Sequence, residues 1–127
     1  MSEKEKVDKA IKLYNDGKYQ EAIDAFSSVL EVCQDNAELY NNIALCYANL
    51  GEYEKAFWEL QKVLELIMST YQTDDYSQMI DDFLVGNYTK DRCQYALNVI
   101  FEIYTDVVKH PLKQYQLDNK TLTLKLA

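Results

Sequence analysis

The chain has 127 residues, 48% of them apolar, a formal charge of −8, and only three glycines and one proline. That length buries one continuous core but not two ordinary domains, and the scarcity of glycine and proline leaves no room for long linkers. The acidic balance argues against nucleic acid, no apolar stretch reaches the length of a membrane span, and the charged start MSEKEKVDKA is no secretory signal, so a cytoplasmic setting without membrane contact is expected.

Read from the start, the chain repeats itself. Ala10, Asn15, Gly17, Tyr19, Ala22, Val29, Leu30 and Glu31 return 34 positions later as Ala44, Asn49, Gly51, Tyr53, Ala56, Val63, Leu64 and Glu65. These are eight identities in 22 positions, where unrelated stretches share roughly one or two. The pairs Leu13/Tyr47, Ile23/Phe57 and Phe26/Leu60 keep apolar character. A period of this length in helical sequence signifies a solenoid. Gly17 and Gly51 fall between two apolar-periodic segments, where a left-handed turn is cheap only without a Cβ. Tyr19 and Tyr53 follow that turn, and Ala22 and Ala56 are small enough to let two helix axes approach to about 8–10 Å. Each unit is expected to be a helical hairpin.

The pattern resembles the tetratricopeptide repeat in its small residue, turn glycine, aromatic, alanine and large apolar residue: Ala10, Gly17, Tyr19, Ala22 and Phe26, then Ala44, Gly51, Tyr53, Ala56 and Leu60. The resemblance implies repeats at about residues 3–36 and 37–70. In the second, Tyr40, Ile43, Ala44 and Tyr47 fill the family's apolar first-helix positions. In the first, Lys6 and Lys9 take the earliest two, which suits an end repeat with one wet face. Gln34 and Met68 stand where a closing proline is common.

A third unit, 71–110, is degenerate. A further step of 35 residues brings Gly86 and Tyr88 onto the turn positions but puts Asp91 where alanine belongs and Asn98 where a small or apolar residue is usual. Thr73, Asp74 and Asp75 offer a cap and an acidic first turn for a helix over about 74–85. Apolar spacing from Tyr88 to Val108 predicts a long helix over 88–109, covering the open end of the second repeat, and Pro111 breaks it. The expected architecture is all-α: a right-handed TPR-like solenoid over 1–110 with a C-terminal capping helix, then a tail over 111–127. In the tail, Leu112 and Tyr115 follow a helical turn, whereas Thr121 to Leu126 alternates like a strand without a visible partner. Residues 1–108 carry a net −11 and 109–127 a net +3. The tail therefore has three open alternatives: folding back onto the acidic groove, inserting into another copy, or leading into a longer native protein.

Chemistry is hard to find. His110 stands beside Pro111 with no partnered motif. Asp74, Asp75, Asp81 and Asp82 lack the glycine turn and alternating oxygen ligands of a calcium loop. Cys33, Cys46 and Cys93 form no close pair and read as reduced, packed thiols. No catalytic residue, metal ligand or cofactor site is expected, and the chain is not expected to be an enzyme.

What a solenoid offers is a surface, with the first helices of successive units lining its concave side. Those positions are Val7, Asp8, Ile11, Tyr14 and Asn15 in the first copy, and Glu38, Asn41, Asn42, Leu45, Ala48 and Asn49 in the second. Asparagine amides both donate to and accept from a peptide backbone. The chaperone-tail carboxylate clamp known in this family is matched only by Asn42, since Val7 and Ile11 replace its first lysine and asparagine. An apolar or basic peptide fits better than an acidic one. The expected function is a non-catalytic protein–protein adaptor. Its alternatives are a self-assembly module, homo-oligomeric through the tail, and a regulatory piece of a larger protein.

Overall fold

The computed structural model describes residues 2–103, 113–117 and 120–124. Among the described residues six helices run in order: α1 (Glu3–Asn15), α2 (Tyr19–Leu30), α3 (Ala37–Asn49), α4 (Tyr53–Tyr71), α5 (Ser77–Phe83) and α6 (Lys90–Ile103). Two strands follow, β1 (Lys113–Leu117) and β2 (Lys120–Leu124).

Local chemistry sets the helix ends. The Ser2 hydroxyl accepts from the Glu5 amide at 3.2 Å, with Glu3 and Glu5 in the first turn near the positive end of the α1 dipole. At α3 the Asn36 side chain accepts from the amides of Glu38 and Leu39. The two repeats close their first helices identically. Gly17 and Gly51 sit at φ +77° and +76°, and the residue after each donates back across the turn, Lys18 to the Leu13 carbonyl and Glu52 to the Tyr47 carbonyl, both at 2.9 Å. This is the six-to-one closure that a left-handed glycine permits.

Packing follows from the small positions. Ala10, Ala22, Ala44 and Ala56 are wholly buried with Phe26, Phe57 and Leu60, and one core runs through the repeats into α6. α6 packs on α4 through an apolar face that includes Cys93, Ala96, Leu97 and Ile100. Asp91, at the family's alanine position, is exposed in the first turn of α6. The small residues Cys93 and Ala96 allow the close approach instead.

The third unit departs from expectation at its boundaries. The helix expected from 74 begins at Ser77, because residues 74–76 make a turn. The Asp75 amide donates to Thr73 Oγ1 at 3.2 Å and the Ser77 amide to the Asp74 carbonyl at 3.1 Å. The helix expected from 88 begins at Lys90, with Thr89 Oγ1 accepting from the Arg92 amide at 3.2 Å. Its expected end, His110 and Pro111 lie outside the described residues. The alternating tail segment finds its partner within the tail itself: β1 and β2 pair antiparallel, with Lys113 opposite Leu124, Tyr115 opposite Leu122 and Leu117 opposite Lys120.

Candidate peptide-binding face

Helices α1 and α3 carry all the expected groove residues. On α1, Val7, Ile11 and Tyr14 are buried and Asp8 and Asn15 exposed. On α3, Asn41, Asn42, Leu45 and Ala48 are buried while Glu38 and Asn49 are half-buried. Asn49 ties the two helices: its Nδ2 donates to the Tyr14 hydroxyl at 3.1 Å and to the Leu45 carbonyl at 2.8 Å. Tyr14 also meets Tyr19 edge to face, ring centroids 5.4 Å apart, so the turn aromatic of repeat one fixes the ring that Asn49 reads.

The α3 positions do not form an open trough. α3 is flanked by α2, α4, α6 and both strands of the hairpin, and from Leu39 to Cys46 every residue except Tyr40 is buried. Within this covered stretch Asn42 stands apart. It is 0% exposed, and neither Oδ1 nor Nδ2 has a hydrogen-bond partner among the described residues. Leaving a buried amide unpaired costs about 1–3 kcal/mol. The face therefore holds a polar group whose bonding capacity the described residues leave unmet.

Two features escape sequence reasoning. The hairpin against α3 has as its only signal the period-two alternation near Thr121. The second is Arg92, whose Nη groups donate to the carbonyls of Asp82 and Asn87, each at 2.7 Å, and of Gly86. Its guanidinium lies 5.2 Å from the centre of the Phe57 ring. Arg92 thus ties the α5–α6 connection to α4.

The thiols are poorly disposed to react. Burial pushes Cys46 and Cys93 up to about 12, and Cys33, which donates to Glu3 Oε2 at 3.1 Å, is raised chiefly by that bond. A thiol held neutral is a weak nucleophile and a weak metal ligand. Among the described residues no three His, Cys, Asp or Glu side chains are placed to share a metal ion, and no helix is long and apolar enough to cross a membrane.

Paired helices, glycine turns and a shared first-helix face define a helical-repeat interaction scaffold. A family model of the TPR repeat matches residues 12–51 and one of the tetratricopeptide repeat matches 37–67. Residues 12–67 therefore carry tetratricopeptide repeats. Such repeats generally mediate protein–protein interaction and are typically non-catalytic. No curated protein matches the chain significantly.

Proposed function

We propose that the chain is a non-catalytic adaptor that holds a peptide segment or helix of another protein along the face shared by α1 and α3. The observation that carries this is Asn42, a fully buried amide on that face with both polar atoms unpaired among the described residues. A peptide backbone offers the donor and the acceptor it lacks. Asn49 and Tyr14 supply a second polar pair along the same line, and Val7, Ile11 and Leu45 the apolar stripe. Both strands lie against α3, so in this reading a partner gains access to that helix by displacing the hairpin. Residues 1–110 act as the binding module and 111–127 as the segment exchanged. Asp8 and Glu38 favour an apolar or basic partner over an acidic tail, and the three free thiols support a reducing, cytoplasmic setting.

The placement of the strands also supports a second reading, self-assembly. A hairpin that docks on α3 of its own chain fits α3 of another copy equally well, and reciprocal exchange closes a symmetric dimer. A mass that doubles with concentration and reverts on removal of 111–127 would favour it.

Selection of a random peptide library on the full chain tests the first reading. Asn42→Leu should weaken the selected peptides about tenfold, the equivalent of one well-formed hydrogen-bond set, while the fold persists. Peptides bound equally by both proteins would overturn it.

A further inference from the structure

The third unit leaves something the first two do not. α5 has 7 residues where α1 and α3 have 13, and between this short helix and α6 lies a cleft of about 570 Å³. Its volume is within the range of about 300–1,000 Å³ typical of ligand pockets. Phe57, Met79 and Phe83 supply its apolar lining, and Tyr95, 68% exposed, stands along it. Asp75, Asp82 and Asp91 bring three carboxylates to the same lining, all exposed.

Among the described residues the lining also contains one cation, Arg92, but its donors are turned inward onto the carbonyls of Asp82, Gly86 and Asn87, and its guanidinium faces the Phe57 ring. It is spent on closing the fold. What remains is a pocket with an aromatic and thioether interior, three carboxylates in its lining and a net charge of −2. An acidic ligand meets repulsion there, and a purely apolar one leaves the carboxylates unanswered. A long aliphatic stem ending in a cation satisfies both parts, since lysine and arginine bury their methylenes along apolar surface and keep the charged head at a wet rim.

We infer that the α5–α6 cleft is a second docking site, taking an arginine or lysine side chain carried on an apolar segment of a partner protein. It is separate from the α1–α3 face and does not depend on it. Exposed rim charges steer such a partner more than they hold it, so binding falls with ionic strength.

The test uses the full chain, labelled with nitrogen-15, titrated with a short amidated peptide of leucine and arginine and with its glutamate-for-arginine counterpart. The basic peptide should move the backbone amide resonances of Gln78, Asp82, Asp91 and Tyr95 saturably, and the acidic one should not. Asp82→Asn combined with Asp91→Asn should weaken the basic peptide about fivefold, with the melting temperature confirming an intact fold. Equal response to both peptides, shifts confined to α1 and α3, or no saturable shift would each overturn the assignment. So would release of resonances from 109–127 on neutralising the rim, because the chain's own basic tail would then be the occupant.

Discussion

Asn49 donates one amide proton to the Tyr14 hydroxyl of the preceding repeat and the other to the Leu45 carbonyl of its own helix. One side chain thereby fixes the register between α1 and α3. Asn49→Ala should lower stability by about 1 kcal/mol, and a double-mutant cycle with Tyr14→Phe in urea should show coupling of about 0.5–1.5 kcal/mol. Strictly additive effects would mean that the bond does not hold the repeats together.

Asn42 gives the opposite sign. Replacing it with leucine, which keeps the branching at Cγ and the number of heavy atoms, removes an unpaired buried amide, so Asn42→Leu should raise stability by about 1–3 kcal/mol even as peptide binding falls. A loss of stability would mean that the amide is satisfied in solution.

Ala56 is wholly buried where α4 crosses its neighbours. Ala56→Leu should overpack the hairpin at a cost of about 1–3 kcal/mol, read as a lowered melting temperature. Gly51, at φ +76° with nothing within 4 Å of where a Cβ would stand, tests backbone strain alone. Gly51→Ala should cost about 1–2 kcal/mol, with Gly51→Asn retaining part of it.

Cys46 and Cys93 are raised from 9.0 to about 12 by burial. A neutral thiol favoured in the folded state contributes stability that is fully present below about pH 9 and is lost as pH rises towards 12. Each thiol steepens alkaline unfolding by about 1.4 kcal/mol per pH unit in that window. Cys46→Ala with Cys93→Ala should flatten the slope between pH 9 and 12, even if stability at pH 7 is lower.

The repeats were legible because they rest on local rules. Gly17 and Gly51 occupy the left-handed turns, and Ala22 and Ala56 the close contacts, that their spacing implied. The third unit was legible only in outline, since Thr73 resembles a helix cap but its hydroxyl accepts from Asp75 in a turn ahead of the helix, and Thr89 takes the capping role one element later. The strand β1 was masked by Leu112 and Tyr115, whose spacing imitates a helical turn. The burial of Asn42 was out of reach for a different reason. A helix face shows which residues share it, but not which distant elements pack on it, and α3 is met by α2, α4, α6 and a hairpin far away in sequence.

The sharpest test of the α1–α3 binding face follows the side-chain amide resonances of Asn42 and Asn49 in the full chain while a library-selected peptide is titrated in. Both should move together and saturate at one affinity, with the Asn42 signal changing most because it gains partners it lacked. Tight binding that leaves both amides unmoved would show that the peptide sits elsewhere on the chain.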